Sequence, residues 1–357
     1  MLNLSMKPTG WFQIGWSDEL APGAVKPMKY LGHDLVAFRS ETGELAVLDA
    51  HCHHMGAHLG YGGKVKGDCI ACPYHGWQWN TQGENALIPY QDHPIRKKLR
   101  KWDVIEQHGI MFLWHDPAGG PPRDGWLPDV FNHPEHPADP ADYYPCYPDA
   151  VVFAPDEPIH PQLITENAAD TMHFRFAHNA PEDPLLLAFD TSTPIWQSTM
   201  GFRSKVTKEV AMLLHARNAG VGLNFSIFDH PLLARRLVLS CTPIDDEKSD
   251  LRVSYYFRRN PESPEHMPES VRQMARHTRV LFEEDAVIWR HQKFVQRPIY
   301  ARQDVAGYTA LRTWCEQFYE ATVSAQGPLK VLEDTDEPVN CSLLRHAVET
   351  HSQLPGP

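Results

Sequence analysis

Apolar and polar positions alternate between Asp34 and Ala50 in a pattern that predicts a hairpin. Leu35, Val36 and Phe38 lead into Glu41-Thr42-Gly43-Glu44, and Leu45, Val47 and Leu48 return. Ile110 to Trp114 forms a second apolar run with the character of a buried strand. The intervening stretch, His51 to Trp79, is rich in His, Cys and Gly and predicts loops. Asp116 to Pro128 holds four prolines and three glycines, which excludes a helix or a central strand and marks a boundary or a long loop. Farther on, Leu163 to Phe176 predicts a helix, and Leu223–Phe228, Arg236–Cys241 and Leu251–Phe257 predict strands. Val271 to Trp289 carries the strongest helical periodicity, and Tyr308 to Tyr319 reads as another helix. The expected architecture is α+β, with a β-rich first domain over residues 1–118 and a mixed second domain over 119–357.

Composition narrows the functional classes. A chain of 357 residues, 42% hydrophobic and 22% charged, fits two globular domains. Its 33 basic against 45 acidic residues leave a formal charge of −12, which argues against binding a phosphate backbone. No apolar run approaches the roughly 20 residues of a membrane helix, and Met1 to Gly15 has no signal-peptide pattern. The expectation is a soluble, cytoplasmic protein with no nucleic-acid or membrane partner. Seven cysteines, an odd number, favour reduced thiols. Histidine departs most from the ordinary: 21 residues are more than a surface calls for, so some are expected to be ligands.

Cys52-x-His54 and, after seventeen residues, Cys72-x-x-His75 give two loops that each offer one thiolate and one imidazole. Such a set could hold zinc, but structural zinc usually pairs Cys-x-x-Cys with His-x₃₋₅-His. Mixed pairs on facing loops suit a Rieske [2Fe–2S] cluster, in which two Cys bind one iron and two His the other. His51, His53 and His58 fall outside this register. Cys69 is expected to be a buried strand thiol, and Trp77 and Trp79 to shield the cluster.

A second constellation lies at Asp170, His173 and His178. Asp170 and His173 are three apart and share a helix face. His178 stands about 140° from His173 on an ideal helix, so both reach one metal only if the helix ends between them; Asn179 and Pro181 favour such an end. Two His and one carboxylate make the facial triad of non-haem Fe(II) oxygenases. On the 271–289 helix, Val271, Met274, Thr278, Leu281, Phe282, Ile288 and Trp289 form one stripe, with Asp285 near its centre and Glu284 on its rim. A carboxylate aimed at a core is costly unless paired or metal-bound. Asp285 is therefore the expected third ligand, with Glu284 and Asp170 as alternatives and a buried ion pair as the competing role.

These motifs give the chain a resemblance to the oxygenase component of Rieske non-haem iron oxygenases over nearly its whole length. Four stretches resemble the 3-ketosteroid 9α-hydroxylase branch: Asp49 to Gly56, Trp114 to Pro117, Asp285 to Trp289, and Leu311 to Tyr319. The resemblance implies a Rieske domain followed by a helix-grip-like catalytic domain with mononuclear iron. It implies a homotrimer in which Asp170 bridges His173 to His75 of the next subunit, and a separate NAD(P)H-dependent flavin and iron–sulfur reductase, or a ferredoxin, as electron donor. The implied reaction is O₂-dependent monooxygenation of an apolar small molecule, in the first place 9α-hydroxylation of a 3-ketosteroid. Sterol desaturation, O-demethylation and aromatic hydroxylation use the same ligands. A Rieske electron-transfer protein would need only residues 1–118, and the second iron motif argues against it. Arg96 to Lys101 is the one dense basic run; most such runs are solvated faces, but this one could steer an acidic electron donor.

Overall fold

The computed structural model describes residues 4–229 and 234–319. The end of the expected second domain, 320–357, and Cys341 with it, lies outside the described residues. All strand pairs among the described residues are antiparallel.

Three small sheets form the first part of the chain. The first joins β1 (Gly10–Trp16), β11 (Ile110–His115) and β10 (Val104–Gln107). The second joins β2 (Val25–Tyr30), β3 (His33–Arg39), β4 (Leu45–Asp49) and β9 (Lys101–Trp102). Its β3–β4 pair is the hairpin expected between Asp34 and Ala50. The third is a meander of three-residue strands, β5 (Lys64–Lys66), β6 (Cys69–Ala71), β7 (Gln78–Asn80) and β8 (Asn85–Leu87). Strands this short hold a sheet only because Ile70 and Trp79, both fully buried, pack with Val36, Phe38 and Leu48 of the hairpin.

The second part is a seven-stranded sheet in the order β12-β18-β17-β16-β15-β14-β13. Its strands are β12 (Val151–Glu157), β13 (Leu185–Asp190), β14 (Ile195–Arg203), β15 (Val210–Ala219), β16 (Leu223–Asp229), β17 (Arg235–Pro243) and β18 (Ser249–Phe257). Helix α3 (Glu269–His291) lies across one face and buries Ala275, Phe282, Ala286 and Trp289 against β12, β17 and β18. The apolar stripe of this helix is as expected except at Ile288, which is half exposed; Ala275 and Ala286 complete the buried line.

The single helix expected over 163–176 is two short ones, α1 (Pro161–Glu166) and α2 (Met172–Phe176), with a turn between them. Asp170 is therefore in the turn, not on a helix face. The last helix, α4 (Val305–Cys315), starts earlier than the sequence suggested and tightens to a 3₁₀ turn at Glu316–Phe318.

The two parts share one core, in which Trp16, Phe112 and Trp114 pack with Phe225, Val238 and Tyr256. A buried polar lock adds direction: the Tyr30 hydroxyl donates to Asp250 at 2.7 Å, and Arg252 donates to both. No helix among the described residues is long and apolar enough to cross a membrane.

Candidate metal centres

Two loops bring Cys52, His54, Cys72 and His75 together. In each, a glycine N–H bonds back to the cysteine carbonyl, Gly56 to Cys52 at 2.9 Å and Gly76 to Cys72 at 3.0 Å. Both glycines sit at φ near +70°, a conformation that favours glycine, and this closes each loop tightly round its cysteine. Both thiols are free and buried. Burial pushes the Cys52 thiol up, and the nearby Cys72 adds to the shift. The His54 and His75 rings lie 4.6 Å apart between centroids.

The Nδ1 atoms of His54 and His75 are buried without a hydrogen-bond partner. Two orphaned imidazole nitrogens beside two buried thiols fit a Cys₂His₂ cluster site, where bound iron would satisfy all four. The neighbouring side chains pack around this set. Trp79 is fully buried and directs Nε1 to the Cys52 sulfur at 3.4 Å. Trp77 stacks on His54 at 4.5 Å and 4°. Cys69 stays on β6, hydrogen-bonded to Asp68, its thiol pushed up to about 12 by burial. His51 and His58 bond to Asp34 and to the Gly60 N–H instead.

His173, His178 and Asp285 form the second set, with one donor atom from each within 4.8 Å of the others. Helix α2 ends at Phe176, so His178 leaves the helical register and comes within reach of His173 although it lies five residues on, and Asn179, at φ +54°, then turns the chain away. His173 Nδ1 donates to the Asp170 main-chain carbonyl at 2.6 Å, which leaves Nε2 as the lone-pair nitrogen. The Asp170 carboxylate does not take that proton, contrary to the bridge to the His173 ring that the resemblance implied. It lies 3.8 Å from Nδ1 and instead accepts the His173 main-chain N–H at 3.1 Å. Burial works to raise Asp170, but His173 and the Tyr308 hydroxyl outweigh it and hold the carboxyl below its ordinary value.

Sequence reasoning treated Asp285 and Glu284 as rivals for one place, and the structure uses both. Asp285 Oδ1 is 3.1 Å from His178 Nε2, while Glu284 Oε2 is 2.9 Å from His178 Nδ1. Successive residues on α3 thus grip opposite edges of one ring. Burial would lower the His178 imidazole, but Asp285 and Glu284 outweigh it and raise it, and the same negative charge favours a cation. A metal between His173, His178 and Asp285 would find His178 oriented by Glu284, the usual carboxylate–histidine–metal relay.

This trio stands in the wall of an apolar cavity of about 610 Å³ between the sheet and α3, lined by Phe174, Phe202, Leu214, Leu237 and Phe282 among others. Arg175 is not in that wall; it is exposed and pairs with Asp183. The motif at 311–319 acts from behind. Leu311, Trp314 and Phe318 pack under Ala168 and Ala169, and Arg312 holds Glu166 at 2.9 Å, so α4 supports the turn that carries Asp170.

Residues 10–103 match the Rieske [2Fe–2S] domain family, and residues 113–319 match the 3-ketosteroid 9alpha-hydroxylase C-terminal domain family. The chain is 30% identical over 355 residues to a cholesterol 7-desaturase of Xenopus laevis, covering 87% of this chain and 72% of the relative. It is 29% identical over 331 residues to a probable 3-ketosteroid-9-alpha-monooxygenase, oxygenase component, of Rhodococcus rhodochrous, covering 87% and 79%. The crystal structure of dicamba monooxygenase bound to dicamba superposes with a TM-score of 0.62 at 19% identity over 88% of this chain and 98% of that one, a likeness of fold. With a Rieske domain, a donor set for mononuclear iron and a catalytic domain of the 3-ketosteroid 9α-hydroxylase type, this chain belongs to the Rieske non-haem iron oxygenases.

Proposed function

We propose that this protein is the terminal oxygenase of a multicomponent monooxygenase that hydroxylates an apolar, 3-ketosteroid-like molecule, with electrons from a separate NAD(P)H-dependent reductase or ferredoxin. The carrying observation is the His173–His178–Asp285 trio in the wall of an apolar cavity of about 610 Å³, within the range of small-molecule sites. Cys52, His54, Cys72 and His75 hold the cluster, and His173, His178 and Asp285 hold the mononuclear iron. Once bound, the two groups supply electron transfer and O₂ activation. The chain's own part is placement and exclusion of water. Phe174, Phe202, Leu237 and Phe282 desolvate the substrate; Asn224 and Ser226, joined at 2.5 Å, give the wall a polar mark that a ring carbonyl could use.

The division into functional units falls near residue 118, in the proline-rich loop. The assembly is a cyclic homotrimer, in which Asp170 meets His75 of the next subunit. Asp170 keeps a partly exposed carboxylate at the surface, and Met55, Tyr61, Tyr74 and Tyr90 stand exposed around the cluster loops, ready for a neighbour. Arg96, Lys97, Lys98 and Arg100 are exposed and offer a docking patch for an acidic electron donor. The setting is cytoplasmic. Likeness to a cholesterol 7-desaturase supports a second reading, removal of two hydrogens from a sterol at the same centre.

Purified protein is expected to be red-brown and to hold three irons and two acid-labile sulfides per chain; a colourless, zinc-loaded protein would overturn the cluster assignment. Turnover of steroid enones and of sterols under ¹⁸O₂ with a surrogate reductase separates the two readings. Hydroxylation places one ¹⁸O in the product, and desaturation places none. Glu284→Gln is expected to weaken retention of the mononuclear iron by about 10–100-fold without changing the cluster's absorption, measured as iron left after graded chelation.

A further inference from the structure

A second group of histidines lies on the other face of the large sheet. Leu214 and Ala216 of β15 line the catalytic cavity, so His215 between them points away from it. It meets the loop at 129–138, where one donor atom each of Glu135, His136 and His215 comes within 4.8 Å of the others. The His136 and His215 rings are 4.2 Å apart, and His133 lies 5.3 Å from the first and 5.7 Å from the second.

The loop is built to present these side chains. His133 Nδ1 accepts the main-chain N–H groups of Glu135 and His136, at 3.2 and 3.3 Å, which curls the chain and throws both side chains over β15. Arg236 donates to the carbonyls of Val130 and His136, and Arg217 to those of Asp129 and Asn132. His215 is 5% exposed; its Nδ1 is engaged by Thr199 at 3.2 Å, and its buried Nε2 has no partner. An unsatisfied imidazole nitrogen at such depth costs stability unless something binds it.

We propose that Glu135, His136 and His215 form a third metal site, for a borderline-soft divalent ion such as Zn(II), separate from both iron centres. Two imidazoles and one carboxylate are a zinc ligand set with a fourth position open to water. Tetrahedral coordination wants donors ~3.4 Å apart, a closure the exposed Glu135 side chain can supply by rotating. The guanidiniums of Arg217 and Arg236, spent on loop carbonyls, oppose any cation here. The two imidazoles select against hard ions such as Mg²⁺ and Ca²⁺, which nitrogen ligands bind too weakly to offset that opposition. Bound zinc would pin the 129–138 loop to the sheet and complete His215.

The test uses full-length protein, with the Rieske centre filled throughout and the mononuclear centre filled in every form except Asp285→Ala, dialysed against micromolar Zn(II) and then against metal-free buffer before zinc is counted. Wild type and Asp285→Ala are expected to retain one zinc per chain. His136→Ala and Glu135→Ala should retain it about tenfold less well or worse, with the cluster's absorption intact as evidence of folding. X-ray absorption at the zinc edge should show nitrogen and oxygen ligands without sulfur. Three results would each overturn the site: no zinc held by wild type, zinc held equally by His136→Ala, or zinc lost in Asp285→Ala, which would place the ion in the mononuclear centre.

Discussion

Asp285→Ala is expected to empty the mononuclear iron site and abolish turnover while leaving the Rieske spectrum unchanged. Among the described residues its carboxylate is the one that faces His178 Nε2, at 3.1 Å, and the cluster loops are built on a different sheet. A direct ligand carries more than the 10–100-fold that an outer partner of a metal histidine carries, so iron should fall from three to two per chain. Folding should survive, because Asp285 lies at the cavity wall and the buried line of α3 is made by Ala275, Thr278, Phe282, Ala286 and Trp289. Iron content, electron paramagnetic resonance of the reduced cluster and product formation read the three effects separately. If iron stays at three in this variant and drops in Glu284→Ala, the two carboxylates have exchanged roles.

Asp170→Asn should lower turnover by about 100-fold or more, the upper end of what such outer partners carry, with both metals retained. An asparagine oxygen can still accept the His173 main-chain N–H and the Tyr308 hydroxyl, and the His173 ring is held by the residue-170 carbonyl, which the substitution does not touch. What disappears is the negative charge that would meet the neighbouring subunit's cluster histidine. In single turnover, a pre-reduced cluster should then fail to oxidise when substrate and O₂ are added. Normal oxidation would refute the coupling role, and loss of the mononuclear iron would instead make Asp170 a ligand.

By itself the sequence determined the two iron motifs, the β-rich and mixed halves, and the helix that carries Asp285. Those features are local. A cluster loop needs its Cys and His within a few residues, and a helix shows its buried face at a 3.6-residue period, so both are written in short stretches of text. Strands β13, β14 and β15 were not legible. In β14 and β15 the alternation is blurred because polar residues such as Ser198, His215 and Asn218 are buried alongside the apolar ones that line the cavity, and β13 is largely exposed. The helix expected over 163–176 broke at the turn 167–171, where Ala168 and Ala169 pack on α4 and tertiary contact overrides propensity. Only the fold could decide the division of labour between Glu284 and Asp285. Neighbours on α3 point about 100° apart, and which edge of the His178 ring each reaches depends on a residue more than a hundred positions away. The same holds for Glu135, His136 and His215. The histidine excess said that ligands were present, but sheet register and the curl at His133 brought these three together.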